Sequence, residues 1–186
     1  EISYVSQIPN LIPHLTVSKN ISLGLREIKG LSNNEVEKKN EEITNMLGLK
    51  NIKDSYPEEL SGGQLQRANL ARALVLNPKI ILLDEITSSQ DPQTIKEVVE
   101  GLWNWRFDND PGNKTTTILV THLLPFAFQF ADIILFLHDG VIFEAGEAGA
   151  FLASSKKKET REFLEANPFN DPNAFVRPKN YISNNF

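Results

Sequence analysis

The fold of this chain is decided by two stretches, Leu60-Ser61-Gly62-Gly63-Gln64 and Ile80-Ile81-Leu82-Leu83-Asp84-Glu85. The second stretch begins as a continuous apolar run, which is typical of a parallel strand covered on both faces. It ends in two carboxylates. Because ligands of open α/β sheets bind beyond the carboxyl ends of the strands, we expect Asp84 and Glu85 at a ligand-binding edge.

The first stretch opens a helix. Gly62 and Gly63 allow a ligand to approach the backbone closely, and the amides at the start of the helix favour negative charge. Ser61 adds a hydroxyl donor. An isolated Ser-Gly-Gly is more often a simple capped turn, but the residues from Leu65 to Leu76 continue as a pattern that is apolar around much of a helix. The stretch therefore predicts a phosphate contact that uses no lysine.

The rest of the sequence alternates between strand and helix patterns. Ser32 and Glu35 form a capping-box pattern before an amphipathic helix that ends near Gly48, and Asp91-Pro92 begins a further helix. Strands are predicted at 2–5, 80–83, 117–120, 133–137 and 141–144, a short helix at 125–130 and a polar loop at 108–114. Asp139-Gly140 predicts a hairpin turn between the last two strands. The alternation between 77 and 131 indicates a parallel sheet with helices on both faces, and residues 8–76 predict a more helical side lobe.

Composition excludes several classes of site. The 186 residues carry a net charge of −5 and no cysteine, which argues against a nucleic-acid groove, a disulfide framework and thiol chemistry. Three separated histidines without cysteines do not predict a zinc site, and no apolar run has the length of a membrane span. Because the chain begins at Glu1 and enters strand-like sequence at once, we expect a partial chain.

Together these stretches resemble the motifs of the ATP-binding cassette (ABC) ATPases, above all the importers of polar amino acids, over about residues 1 to 165. The matching segments are the signature 60–67 and 71–74, the Walker B strand 80–85, the Q-loop from Gln7 to Val17, the D-loop 88–92 and the switch position Thr121-His122. The chain departs from the family at Ile86, where proline is usual, and at Gln90, where leucine is usual. No G-x-x-x-x-G-K-[ST] occurs anywhere in the sequence, so the Walker A phosphate loop is missing from it.

The resemblance implies ATP and Mg²⁺ as cofactors and a role for each motif. Asp84 would hold magnesium through a water, and Glu85 would orient or deprotonate the water that attacks the γ-phosphate. His122 would sense that phosphate. The implied site is catalytic at Glu85 and His122, nucleotide-binding at Gln7, Ser61, Gly62, Gly63, Gln64 and Asp91, and metal-binding at Asp84 and Gln7.

The resemblance also implies an architecture and partners. The expected fold is α/β, a partial P-loop NTPase (RecA-like) parallel-sheet core with a helical signature subdomain. The domain would span 1–166, with the helical subdomain at about 8–76 and the core at about 77–150, followed by an extension at 167–186. The implied partners are a homodimer mate or paired ATPase subunit, transmembrane permease subunits and, indirectly, a solute-binding protein. The resemblance implies no nucleic-acid partner. It implies a peripheral membrane protein on the cytoplasmic face of the inner (plasma) membrane.

Three functions follow from these motifs. The first is the ATPase subunit of an amino acid importer, which would hydrolyse ATP as a complete protein while this chain alone is inactive. The second is a chromosome-maintenance or DNA-repair ATPase, which is disfavoured because no sustained heptads lie between Gln7 and Leu60. The third is a non-catalytic remnant, or a regulatory or binding module, that has lost its phosphate loop. For the importer we expect the segment from Gln7 to about Leu31 to dock a membrane subunit through exposed Ile8, Leu11, Ile12 and Leu15.

Overall fold

A computed structural model of the chain describes residues 2–88, 91–108 and 115–166. The chain divides into two compact units, Glu1–Thr121 and His122–Phe186. The predicted extension at 167–186, the D-loop residues Ser89 and Gln90, and all of the predicted loop at 108–114 except Asp108 lie outside the described residues. Asp108 is instead the last residue of a helix. Within the described ranges, no helix combines the length and the apolar character needed to cross a membrane.

The first unit contains a three-stranded parallel sheet. Its strands are β1 (Ile2–Val5), β2 (Ile80–Asp84) and β3 (Thr116–Val120), and β2 lies in the middle. In the register, Val5 pairs with Leu83 and Asp84 pairs with Val120. The parallel sheet predicted from the sequence is therefore confirmed.

Four helices connect these strands. They are α1 (Val17–Glu27), α2 (Asn33–Met46), α3 (Gly62–Leu74) and α4 (Pro92–Asp108). The predicted capping box is present at the start of α2, where the backbone N–H of Ser32 donates to Oε2 of Glu35 at 2.9 Å. Gly48, just beyond α2, has a φ of +65°, the left-handed conformation that ends many helices. The predicted start and stop of this helix are both confirmed.

The core of the first unit lies on one face of the sheet. Val5, Ile81 and Leu83 are almost fully buried on this face, and α3 packs against β1. The hydroxyl group of Ser3 donates to the backbone carbonyl of Ala73 at 3.3 Å, which joins strand and helix. Burial of each of these apolar side chains contributes about 1.5–3 kcal/mol relative to exposure.

The opposite face of the sheet is open, which corrects the expectation of helices on both faces. The exposed fractions are 66% for Ile2, 56% for Tyr4 and 53% for both Ile118 and Val120. In β2, between them, Ile80 and Leu82 are only partly buried. The physical reason is that an apolar run shows that both faces of a strand are apolar, but it does not determine which segment of the chain covers each face. We call Ile2, Tyr4, Ile118 and Val120, with the β2 residues between them, the open sheet face.

The second unit is built around a hairpin. It contains α5 (Leu124–Phe130), β4 (Ile133–His138), β5 (Val141–Glu147), α6 (Ala148–Ser154) and α7 (Lys158–Ala166), and β4 pairs with β5 antiparallel. Asp139 and Gly140 have φ of +50° and +77°, as a two-residue type I′ turn requires, so the predicted hairpin is confirmed. Phe126, Phe130 and Phe151 are buried in this unit, and the rings of the first two lie 5.3 Å apart.

Candidate functional site

The first unit places the predicted acidic pair at the carboxyl edge of its sheet. Asp84 is the last residue of β2, and Glu85 follows it. Because β1 and β3 run parallel to β2 on either side of it, the residues that follow the three strands lie at the same edge of the sheet. Gln7, an exposed residue shortly after β1, and Thr121, directly after β3, therefore lie at the same edge as the carboxylates.

The carboxylate of Asp84 has one hydrogen-bond donor from the neighbouring strand. The hydroxyl group of Tyr4 donates to its Oδ2 at 2.9 Å, and this hydrogen bond raises the pKa of Tyr4, with smaller contributions from burial and from the charge of Asp84. Both side chains lie on the open sheet face, because Tyr4 pairs with Leu82, two residues before Asp84. Sequence reasoning missed Tyr4, which reads as one apolar position of a short strand.

The donor set suits a magnesium ion that also binds phosphate oxygens. Mg²⁺ is usually held by one or two carboxylates plus substrate phosphates and waters. Across the described part of the chain, no group of three or more His, Cys, Asp or Glu side chains is placed to hold a metal ion by itself. A single carboxylate at the end of β2, that of Asp84, fits a magnesium ion whose other ligands are phosphate oxygens and waters.

Glu85 is held in an uncommon backbone conformation. Its φ is +48°, a left-handed value that costs a residue with a side chain about 1–2 kcal/mol. The conformation is fixed on both sides, since its N–H donates to the carbonyl of Val120 at 2.9 Å and the N–H of Ser88 donates to its carbonyl at 3.0 Å. The hydroxyl group of Ser88 also donates to Oε2 of the carboxylate. Residues held in such conformations cluster at active sites, ligand clamps and switch regions.

Ile86 follows the acidic pair where the resemblance has proline. Its side chain is 1% exposed, so it packs into the core of the first unit. The turn after Glu85 is thus stabilised by burial of an apolar side chain instead of by a proline ring.

The residues of the predicted phosphate contact lie at the start of α3. The backbone N–H of Ser61 donates to Oε1 of Gln64 at 2.9 Å, and the N–H of Gln64 donates to Oγ of Ser61 at 3.3 Å. This capping box fixes both side chains at the exposed helix start. The Ser61 oxygen accepts in this pair, so its own proton can be donated to an anion. The arrangement is the one expected for anion binding at a helix N-terminus.

The sequence predicted a ligand beside Gly63, but its neighbour in the structure is the side chain of Thr94. The residue is buried, and a Cβ atom placed on it would lie 2.7 Å from Oγ1 of Thr94 and still closer to Cγ2. Glycine is therefore required here because α4 packs against α3, whatever ligand approaches the exposed Gly62. Sequence spacing gave no signal for this contact between two distant segments.

Asp91 caps the helix that follows it, as the sequence predicted. Its Oδ1 accepts the backbone N–H groups of Gln93 and Thr94 at 3.0 and 3.1 Å, and its Oδ2 accepts the hydroxyl of Thr94 at 2.6 Å. The hydroxyl bond is the main reason why the pKa of Asp91 lies below its ordinary value, and the backbone bonds add to it. The role across a dimer that the resemblance implies for Asp91 stays a prediction.

The segment after Gln7 is anchored by two residues that sequence reasoning missed. Asn20 is fully buried in α1, accepts the N–H of Ile12 at 2.7 Å, and donates to the carbonyls of Ile12 and Leu15 at 3.1 and 2.9 Å. Arg72 of α3 donates to the carbonyl of Asn10 at 3.0 Å. A polar residue on the buried side of an amphipathic helix was the available signal for Asn20.

These anchors correct the expectation that Leu11 is exposed. Leu11 is 7% exposed and belongs to the core, whereas Ile8 is 79% exposed. Ile12 and Leu15 are half-buried. The hydrogen bonds of Asn20 hold the segment after Gln7 against the rest of the first unit. Leu11 therefore points into the core, whereas Ile8 stays exposed.

His122 is the first residue of the second unit and lies two positions beyond β3, with an exposed side chain. Its catalytic role stays a prediction. The acidic pair, the signature helix and Asp91 all lie in the first unit.

Comparisons with known proteins show the family to which this chain is similar. Residues 1–88 match the family model described as ABC transporter. The chain is 37% identical over 164 residues to the glutamate transport ATP-binding protein GluA of Corynebacterium glutamicum, covering 88% of this chain and 66% of that protein. It is 39% identical over 164 residues to the L-cystine transport system ATP-binding protein TcyN of Escherichia coli K12, covering 88% and 64%.

A similar solved structure is the dimeric, post-hydrolysis state of the ATP-binding cassette MJ0796 bound to ADP and Pi. The TM-score is 0.68 at 33% identity, over 80% of this chain and 63% of that one. The chain thus spans just under two thirds of the length of the relatives that it matches. By its sequence matches and its fold, the chain carries an ABC transporter domain and belongs to the ATP-binding cassette family.

Proposed function

We propose that this chain is part of the ATP-binding and ATP-hydrolysing subunit of an ABC importer for amino acids. The observation that carries the proposal is the acidic pair at the end of β2, in which Glu85 is held in a left-handed conformation beside Asp84. The names of the relatives, which are ATP-binding proteins of glutamate and L-cystine transport, support the cargo class.

The chemistry asked of these residues is phosphoryl transfer from ATP to water. Asp84, with Gln7 at the same sheet edge, would hold Mg²⁺, which neutralises charge on the phosphates. Glu85 would orient the attacking water and take its proton, and the Ser88 hydroxyl would keep the carboxylate in place. His122, at the end of β3, would hydrogen-bond the γ-phosphate and respond to its loss.

The signature would act on a nucleotide held by a paired subunit. The exposed helix start at Ser61, Gly62 and Gln64 would receive the γ-phosphate of that ATP, so two chains would close head to tail around it. The dimeric structure of the MJ0796 cassette supports the pairing of two chains. Closure would act on transmembrane permease subunits, and indirectly on a solute-binding protein, from the cytoplasmic face of the membrane. Ile8 is the exposed apolar side chain that could anchor such a subunit.

A second candidate is a binding or regulatory module without catalysis. Its basis is that G-x-x-x-x-G-K-[ST] does not occur in the 186 residues, since that loop supplies the amides and the lysine that cradle the phosphates of ATP. A phosphate loop of this kind in the full gene product would remove this candidate.

Two measurements separate these candidates. Calorimetric titration with magnesium-ATP should show weak binding by the 186-residue chain and tight binding by the full gene product that contains it. In that full product, Glu85→Gln should keep ATP binding and lose turnover, because the amide preserves shape but cannot take the proton. A full product that neither binds nor hydrolyses ATP would support the non-catalytic module. Near-parental turnover by the variant would remove Glu85 as the base.

A further inference from the structure

The first turns of α3 and α4 lie side by side. Gly63 packs against Thr94, and one turn further along both helices Arg67 forms an ion pair with Glu97. The paired positions advance together, so the two helices run in the same direction where they touch. Only 12% of the Arg67 side chain is exposed, which makes this pair a partly buried link and not a loose surface contact.

Thr94 touches both predicted nucleotide segments at once. Its hydroxyl group donates to Oδ2 of Asp91 at 2.6 Å, and the same Oγ1 would lie 2.7 Å from a Cβ atom on Gly63. Its Cγ2 fills the remaining space above the glycine. A shift of Thr94 away from Gly63 would therefore move the hydrogen-bond donor of Asp91, and a shift of Asp91 would loosen the packing on the signature helix.

We propose that Thr94 is a positioning residue that holds the signature start and Asp91 together as one unit. The proposal rests on the proposed ATPase function, in which both segments must be placed when the dimer closes on ATP. Small displacements of positioned groups cost large factors in rate, so one shared side chain can set the geometry of both contacts. Nothing in this role brings Thr94 itself into contact with the reacting atoms.

Two conservative substitutions of Thr94 separate its hydrogen bond to Asp91 from its packing against Gly63. Thr94→Val keeps the branched shape against Gly63 but removes the hydroxyl donor, whereas Thr94→Ser keeps the donor and removes the methyl group. In the full gene product, Thr94→Val should lower kcat about tenfold with KM for ATP nearly unchanged, which is the value of one hydrogen bond to a charged acceptor. Thr94→Ser should retain most of the parental kcat. Lys96→Ala, at an exposed site on the same helix, is the matched control and should behave as the parent.

A substitution in the signature helix tests the packing of Thr94 against Gly63. Gly63→Ala should impair ATP-dependent dimerisation, because its methyl group collides with Thr94. Combination with Thr94→Gly, which removes every contacting atom of that side chain, should restore part of the dimerisation that the single Gly63→Ala variant loses.

A measurement without nucleotide keeps the inference separate from the proposed function. Hydrogen exchange of the Gln93 and Thr94 amides, which donate to Asp91, should speed up in both Thr94→Val and Gly63→Ala. If the parent hydrolyses no ATP, the proposed function fails, and this exchange still decides the coupling. Unchanged exchange in Gly63→Ala, or a Thr94→Ser variant as slow in turnover as Thr94→Val, would overturn the role of Thr94.

Discussion

The hydroxyl group of Tyr4 donates a 2.9 Å hydrogen bond to the carboxylate of Asp84, from β1 to the end of β2. The hydrogen bond raises the pKa of Tyr4 above its ordinary value, and burial and the charge of Asp84 add to the effect. Its contribution to stability is fully present below the unfolded pKa of about 10 and is lost as the pH rises through the higher folded pKa.

Asp84→Asn should therefore lower the pKa of Tyr4 towards its ordinary value, since a neutral amide oxygen is a weaker hydrogen-bond acceptor than a carboxylate oxygen and carries no charge. The measurement is a pH titration of tyrosinate absorbance, with Tyr4→Phe identifying the part of the signal that belongs to Tyr4. An unchanged titration in Asp84→Asn would mean that the hydroxyl of Tyr4 does not bond to Asp84 in solution.

The left-handed conformation of Glu85 predicts an inverted stability order for two substitutions. Glu85→Ala keeps a Cβ atom in this conformation, whereas Glu85→Gly relieves it. We expect the glycine variant to be more stable by up to about 1 kcal/mol, the cost of the left-handed region less the entropy of a glycine in the unfolded chain. Denaturant unfolding measures the difference. Both variants should lose turnover, and an alanine variant as stable as the glycine variant would contradict the strain.

Neighbouring glycines of the signature should fail for different reasons. Gly62 is exposed at the first position of α3, so Gly62→Asp should fold normally, with its charge suited to a helix N-terminus. It should nevertheless block ATP-dependent dimer closure by repelling the γ-phosphate. Gly63→Asp should instead destabilise the fold, since Thr94 occupies the space. Size-exclusion chromatography with ATP and thermal unfolding separate the two effects, and normal closure by Gly62→Asp would count against the signature as a phosphate site.

The capping box of α2 predicts a pH-dependent stability. The hydrogen bonds from Ser32 lower the pKa of Glu35, first through the hydroxyl and then through the backbone N–H. The stabilisation is present above the unfolded pKa of about 4.3 and is lost as the pH falls through the lower folded pKa. Glu35→Ala should be less stable than the parent at neutral pH, and the difference should shrink in acid. Glu37→Ala on the same helix is the control, and an equal loss in both variants would refute the capping contribution.

Two apolar residues near Gln7 separate docking from packing. Leu11→Ala should destabilise the protein by about 2–4 kcal/mol, because the side chain is buried. Ile8→Ala should leave stability within about 0.5 kcal/mol, since most of that side chain is exposed. If Ile8 anchors a permease subunit, the alanine variant should lose transport in cells while basal ATP hydrolysis continues. Full transport by Ile8→Ala would remove this residue from the docking surface.

Elements with a local signal were predictable from the sequence. The capping box of Ser32 and Glu35 and the turn at Asp139-Gly140 depend on residues close together in the chain, and both lie where they were expected. In both cases the physical cause, a hydrogen bond or a backbone preference, acts within a few residues. The parallel sheet was predicted instead from the alternation of strand and helix patterns between 77 and 131, which extends over many residues.

Features that depend on distant neighbours were not predictable in the same way. From the sequence, Gly63 is expected to leave space for a ligand, but in the structure Thr94 packs against it. Leu11 is expected to be exposed, but Asn20 holds its loop against the core. The apolar pattern of β2 is the same whether one or two faces are covered. Sequence periodicity records the character of a surface, whereas its occupant is set by tertiary packing.

The open sheet face has a consequence for handling the chain. Ile2, Tyr4, Ile118 and Val120 form an apolar surface, and within the described residues β3 pairs with β2 alone, so its outer edge offers unpaired backbone groups. Such a surface is a template for aggregation. We expect these 186 residues, produced by themselves, to bind hydrophobic dyes, to self-associate as concentration rises and to be retained by chaperones until another polypeptide segment covers the sheet.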